Sequence, residues 1–481
     1  MLELRLVRSA SFLACLAALA AGCVPSLTQN EPREANKAVP ASYGGAQGSE
    51  AVAASENSSQ KSAREFFGDP ALSTLIDTAL KNNQELNIRL QEMVIAKSEA
   101  MSRQGEYLPR VGARLGAGIE RVGKYTHQGA SDEATGLPKN LQHHQLGLAA
   151  SWEVDVWNTL RNAAKAASYR YLSSVEGKNF MVTQLVAEIA SSYYELIALD
   201  NQLEVLRRNI EIQQNALSIV KLQKEAARVT QLAVQRFEAE VLKNQSRQFE
   251  LEQRRIEAEN QINFLLGRFP QPVARNARAF EDPLAGVIQA GIPTQLLDNR
   301  PDVRQAELEL TAAKLDIASA KAAFYPSLSI EAGVGYEAFN TKHLVTTPES
   351  LMYNLAGNLV APLLNRKAIK AQYYAANARQ LQAVFNYERT VLRAFTELVN
   401  RLAMLKNLQQ SYALQSQQVD VLTASIEVSN VLFQSARADY MEVLLTRRDS
   451  LDAEMELIDT RIRQRHAMVD IYQALGGGWR P

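Results

Sequence analysis

The sequence predicts a mainly α-helical protein that also carries a transmembrane β-barrel, with the pattern duplicated along the chain. Three observations lead there. Helix breakers are missing over long spans: no proline falls from 139 to 269 or from 363 to 480, and no glycine from 358 to 475. Apolar residues recur every seven positions through those spans, the rhythm of left-handed coiled-coil packing. Four short segments alternate apolar with polar over about ten residues, which suits a bilayer-crossing strand.

At 481 residues the chain could hold several domains or one large repeated architecture. Its 52 Lys and Arg balance its 52 Asp and Glu, which argues against a nucleic-acid partner. Residues 1–22 read as an export signal: Arg5 and Arg8 precede the apolar run "FLACLAALAAG". The cut site "LAAGC" is similar to a lipoprotein box, although Leu19 sits one place upstream of the usual pattern and Ala20 takes its slot. Cys23 is therefore the expected lipid attachment; the alternative is an ordinary cleaved signal with an incidental cysteine. Cys15 leaves with the signal, so the mature chain cannot form an internal disulfide. No other run offers ~20 consecutive apolar residues, so a membrane crossing would have to be a barrel.

Residues 23–65 are rich in small and polar residues without periodicity, and read as a flexible or extended tether. Order is expected to begin at "FFGDPALSTLIDTALKNN", where Asp69-Pro70 starts a helix. Helices are expected over 72–105, 159–227 and 232–265. In the longest, Val175, Val182, Ile189, Leu196, Leu203, Ile210 and Leu217 stand seven apart, with Lys178, Ser192 and Gln213 interrupting the companion row. The rhythm returns 209 residues later at Val384, Val391, Leu398, Leu405, Tyr412, Val419 and Ile426. Leu266-Gly267 maps onto Leu475-Gly476, Pro109 onto Pro326, Asn83 onto Arg300 and Trp157 onto Leu364. The chain thus divides into a first repeat at 66–267, a linker at 268–293, a second repeat at 294–476 and a tail at 477–481.

Each repeat runs helix, strand, loop, strand, long helix, reversal, shorter helix. In the strands, Val111, Leu115 and Ile119 oppose Arg110, Arg114 and Glu120; Leu146, Leu148, Trp152 and Val154 oppose Gln145, Glu153 and Asp155. Leu328, Ile330 and Val334 oppose Glu331 and Glu337 across the third strand, and Leu351, Tyr353, Leu355 and Leu359 oppose Asn354 and Asn358 across the fourth. Arg110, Arg114, Glu153, Asp155, Glu331 and Glu337 are the candidate lumen residues. Trp152 and Trp157 suit either an interfacial anchor or burial. Four strands cannot close a barrel, and open edges are not tolerated in lipid. Two, three or four copies must share one barrel, three giving twelve strands around a wet bore.

The stretches "SWEVDVW" (151–157), "LLDNRPDVRQAELELTAAKLDIASAKAAFYPSLSI" (296–330), "ARADYMEVL" (436–444) and "IYQALGGGW" (471–479), with the 66–83 segment above, carry a family likeness. The chain resembles the bacterial outer-membrane efflux proteins of the TolC/NodT type, lipoprotein branch, over nearly everything after the tether. That resemblance implies a homotrimer: a twelve-stranded β-barrel, four strands per chain, continued by a long periplasmic α-helical coiled-coil tunnel. It implies a passive exit duct in the bacterial outer membrane. A periplasmic adaptor (membrane fusion protein) and an inner-membrane transporter of the RND type would be its partners, and outer-membrane lipid its surroundings. The family has glycine where this chain has Asn158, Ala227 and Ala436; Asn158 suits a turn or cap, whereas the alanines imply reversals that avoid left-handed backbone.

No enzyme site, cofactor site or metal site is evident. The five histidines include no zinc-protease pair, and His143 and His144 are expected in an external loop. No nucleophile elbow or nucleotide loop occurs. "GGGW" is expected to stop the last helix. The helix reversals at 227–234 and 436–444 are the candidate gate: Arg228, Gln231, Arg437, Asp439 and Tyr440 could link helices at a periplasmic mouth, or an Asp439 ring could favour cations. Adaptor docking and plain solvated turn charges are the other readings. Among functions, a duct for type I protein secretion or heavy-metal export is the alternative, and a periplasmic coiled-coil adaptor a remoter one.

Overall fold

Asn158 and Asn365 both adopt left-handed backbone, with φ of 60° and 53°, and each joins a strand segment to a long helix. The duplication read from the sequence is thus repeated in the backbone. The computed structural model describes residues 24–27, 31–40, 42–43, 57–136, 138, 140–277, 280, 290–435 and 437–480. The export signal, Cys23 and Ala436 lie outside the described residues.

The first repeat contains α1 (Ala63–Phe67), α2 (Pro70–Asn82), α3 (Gln84–Glu106), β1 (Arg110–Glu120), α4 (His127–Ala134), β2 (Leu141–Val154), α5 (Thr159–Glu225) and α6 (Gln231–Leu265). The second contains α7 (Gln295–Asn299), α8 (Pro301–Ala322), β3 (Ser327–Ala338), β4 (Leu351–Val360), α9 (Lys367–Gln434) and α10 (Tyr440–Ala474). At 1.5 Å per residue, α5 and α9 are each about 100 Å long. Among the described residues no helix is long and apolar enough to cross a membrane.

The chain divides into two compact units. One, built around Val94–Ser173 and Glu307–Asn386, holds the sheet. Its four strands form an antiparallel meander in the order β1-β2-β3-β4. The other unit holds most of the helical core. There the heptad rows are buried as their period requires: Ile189, Leu196 and Leu206 in α5 and Leu398 in α9 are fully enclosed. Phe66 of α1 stacks on Tyr472 of α10 at 4.1 Å, and the buried Tyr193 donates to the Asp69 carboxylate at 2.7 Å. Burial pushes the Tyr193 and Tyr472 hydroxyls well above the usual range, so both act as neutral donors.

Several sequence expectations need correction. Order begins earlier than expected, because Ser62 and Glu65 form a capping box on α1. Residues 31–40 form no helix or strand but are held rather than flexible: the Asn36 amide donates to Glu388 at 2.9 Å, and Arg33 lies over Phe385. The single helix expected over 72–105 breaks at Asn83, whose extended backbone separates α2 from α3. β2 starts at Leu141, so His143 and His144 are strand residues, not loop residues. Asp155 falls outside β2 and is not a strand-face lumen residue; its carboxylate accepts from the Leu160 and Arg161 amides at 3.1 and 2.8 Å, capping α5. Ala227 does not avoid the left-handed region: its φ is 55°, because the Arg228 amide must swing back to the Gln223 carbonyl at 2.8 Å to close the helix end.

Candidate functional site

The pleat of the meander sorts its residues by chemistry. Strand register places Val111 beside Ala150, Ala332 and Leu355, and Leu115 beside Leu146 and Tyr336. Val111, Leu115, Tyr353 and Leu355 are exposed on that face. A large apolar surface of this kind is not left in water by a stable soluble domain. The opposite face is polar and small. Arg110 stands level with Ser151 and Glu331; Arg114 with Gly147, Gly335 and Met352; Gly116 with Gln145 and Glu337. Glu153 lies level with Ser329 and Asn358.

Five of the six lumen candidates therefore share one face: Arg110, Arg114, Glu153, Glu331 and Glu337. His143 joins them, with Nδ1 3.2 Å from Glu337 Oε1; the sequence reading missed it because two adjacent histidines beside a loop gave no alternation to follow. A Cβ on Gly147 or Gly335 would run into the backbone of the other strand, so this pair lets the strands close up and the sheet curl toward its polar side. The resulting hollow is lined by Arg114, Gln145, Glu331, Met352 and Asn354. Trp152 and Trp157 donate to the Tyr107 and Pro326 carbonyls at 3.0 and 2.9 Å, tying the ends of the sheet to its flanking segments. The outer edges of β1 and β4, eleven and ten residues long, have no strand partner among the described residues.

The helical unit holds the two reversals. In the first, Thr230 caps α6 through its side chain. In the second, the Arg437 amide returns to the Leu432 carbonyl at 2.9 Å, and Asp439 begins α10 with a carboxylate that caps no amide. Arg228, Gln231, Arg437 and Asp439 are exposed. Among the described residues, none of their side chains makes a hydrogen bond or ion pair. Tyr440 departs from this set: it packs beside Phe237, ring centroids 6.5 Å apart, against a cluster of Val220, Val234 and Leu444. The reversals thus share an apolar knot and present their charges outward. Farther from the tips lie polar residues that the sequence reading passed over: Gln213 accepts from Asn244 at 2.9 Å in a buried pair, and burial pushes the Arg447 guanidinium down and the Glu454 carboxyl up.

At the other end of α6 and α10 the repeats meet their own beginnings. The Asn83 amide donates to the Leu265 carbonyl at 2.9 Å; Arg300 donates to the Ala474 carbonyl at 2.9 Å. Gly267 and Gly476 follow with φ of 66° and 82°, and a Cβ on either would strike the Asn82 or Asn299 carbonyl. "GGGW" stops α10 as expected. Arg300 also pairs with Asp302 at 2.8 Å and Glu397 at 3.1 Å; burial opposes its charge, but these carboxylates outweigh it and hold the guanidinium more firmly protonated. Among the described residues no group of three or more metal-ligating side chains gathers.

Comparison with known proteins places this architecture. The family model for outer membrane efflux proteins matches residues 75–268 and 292–477. The chain is 28% identical over 415 residues to the pyoverdine export outer membrane protein OpmQ of Pseudomonas aeruginosa, covering 86% of each. It is 28% identical over 435 residues to the cation efflux system protein CusC of Escherichia coli, covering 89% of this chain and 91% of that one. The crystal structure of the open-state MtrE outer membrane channel of Neisseria gonorrhoeae superposes with a TM-score of 0.82 at 22% identity, over 95% of this chain and 98% of that one.

Proposed function

The chain belongs to the outer membrane efflux protein family, and from that premise we propose that it is the exit duct of a tripartite export pump. The protein is an outer-membrane efflux channel with the barrel-plus-helical-tunnel fold. The observation that carries the mechanism is the meander: one exposed apolar face, one polar concave face and two unpaired edges. Lipid removes water from the apolar face, and the edges find partners only on other copies. Three chains give twelve strands, a bore lined by the polar face and a homotrimer. The bore lowers the barrier to crossing the membrane by keeping a solute hydrated. Energy comes from an inner-membrane transporter of the RND type, reached through a periplasmic adaptor. A lipid on Cys23 anchors the N-terminus.

The reversals are the gate of this duct. Three copies bring together Arg228, Gln231, Arg437 and Asp439, whose side chains make no hydrogen bond or ion pair among the described residues of one chain and can pair across copies. Tyr440 supports them from behind through Phe237. Closing polar links of this kind need only be worth about 0.5–1.5 kcal/mol each to hold a mouth shut and still yield to a docking partner.

Two measurements test this. Detergent-purified particles imaged by electron microscopy should be three-fold tubes with a detergent belt; particles that stay soluble and single without detergent would overturn the duct. In planar bilayers, neutralising Asp439 and Arg437 together (Asp439→Asn with Arg437→Gln) should raise the leak of the closed channel severalfold. An unchanged leak in an assembled channel would remove the gate and leave the duct.

A further inference from the structure

The charges on the polar face of the sheet fall into levels, and one level stands apart. Arg110 has Glu331 on its level. Near the other end of the sheet, Glu337 is paired with His143. Arg114 lies between them, level with Gly147, Gly335 and Met352 and with no carboxylate. Its guanidinium makes no hydrogen bond or ion pair among the described residues.

The nearest carboxylate on this face by register is Glu337. It lies two residues along and two strands across from Arg114, about 12 Å at ordinary strand spacings. Glu331 is four residues along and two strands across, about 17 Å by the same spacings. These backbone separations exceed the about 8 Å over which screening acts at physiological ionic strength, and neither carboxylate pairs with Arg114 among the described residues. A neighbouring copy does not supply the missing charge either. The free edge available to β1 is β4, whose residues on this face are Met352, Asn354, Ala356, Asn358 and Val360. None is charged; that copy's Glu331 and Glu337 lie one strand further, about 10 Å or more from β1 at ordinary strand spacings.

We infer that Arg114 is a charge-selectivity residue of the bore. Resting on the duct reading, it forms an anion-attracting rung between two zones that carry carboxylates. Beneath it the Gly147 and Gly335 backbones leave a hollow rimmed by the Gln145 and Asn354 amides, with Glu331 at its far end, four residues along β3 from the Arg114 level. Solutes that carry a carboxylate or another anionic group are held there briefly, through charge-assisted hydrogen bonds that reform as the solute moves on. The rung also offsets the cation preference that the flanking carboxylates would otherwise impose on the whole barrel.

The test is the reversal potential of single channels in a KCl gradient centred on about 0.1 M, where screening reaches about 10 Å. Arg114→Gln should raise the K+ over Cl− permeability ratio about twofold, and Arg114→Lys should keep the wild-type ratio. A second variant avoids dependence on folding without the charge. Cys15 and Cys23 are the only natural cysteines, so Arg114→Cys can be inserted first and modified afterwards. A cationic thiol reagent should restore the wild-type ratio, and an anionic one should push it past the Gln variant. A ratio unmoved by the Gln substitution and by both reagents overturns the inference, as does a Lys variant that matches Gln. Wild-type protein that forms no channel would instead overturn the duct.

Discussion

The two repeats build the same corner from different chemistry. In the first, Asn83 turns the chain from α2 into α3 and its neutral amide holds the end of α6. In the second, Arg300 turns the chain from α7 into α8, and its guanidinium holds the end of α10 while gripping Asp302 and Glu397. Geometry is kept; charge is not. The corner therefore requires a side-chain donor at this backbone position, and either a short neutral or a long ionic group can provide it. The difference lies in what removal leaves behind. Truncating Asn83 orphans the Leu265 carbonyl and the Leu86 amide, both neutral. Truncating Arg300 orphans a carbonyl and two carboxylates.

That comparison can be broken by experiment. Arg300→Met should cost about 3 kcal/mol, because two half-buried carboxylates lose their counter-charge and the Ala474 carbonyl its donor. Asn83→Ala should cost about 1–3 kcal/mol, because the two groups it strands, the Leu265 carbonyl and the Leu86 amide, are neutral. Thermal unfolding followed by helical circular dichroism would rank them, and an Asn83 penalty equal to that of Arg300 would end the argument. A smaller effect is expected at the first reversal. Ala227 sits at φ 55°, where L-residues are strained, so Ala227→Gly should stabilise by about 1 kcal/mol. No gain in melting temperature would mean that the reversal draws no strain from its alanine.

The smallest effect concerns Glu454, whose counterpart 209 residues earlier is the neutral Gln245. Burial pushes the Glu454 carboxyl above its usual value, against the pull of Arg208 and Ser450. A carboxyl raised in the folded state is bound more tightly to its proton there than in the unfolded chain. Its ionisation therefore weakens the fold above the folded pKa, and the penalty disappears as pH falls below the unfolded one. Glu454→Gln should stabilise slightly at neutral pH and not at all in acid. A gain that persists at low pH would point to packing instead.

Periodicity carried most of the fold. Heptads over α5 and α9 and alternation over the strands are long signals, and register followed once alternation was known. Asn83 was found as a repeat position but not as a break, because helical alternation continues across it; its extended backbone lets the side chain cap the Leu86 amide and reach the Leu265 carbonyl. Asp155 continued the strand pattern by composition, yet the exposed amides at the start of α5 claimed its carboxylate. Tyr440 looked polar beside Asp439; its ring found Phe237, 203 positions away, a contact that no local pattern announces. The alanine at 227 hid a left-handed turn because the hydrogen bond from Arg228 to Gln223 outweighs the steric penalty.

The unpaired edges of β1 and β4 also set a rule of inheritance. If three chains share a barrel, every seam joins two different copies, so a chain with a spoiled edge ruins an assembly containing two sound ones. In a cell making equal amounts of normal and edge-defective chain, random mixing would leave only about one assembly in eight wholly normal. A lesion confined to one strand edge would thus be dominant, whereas a loss of the whole gene would not.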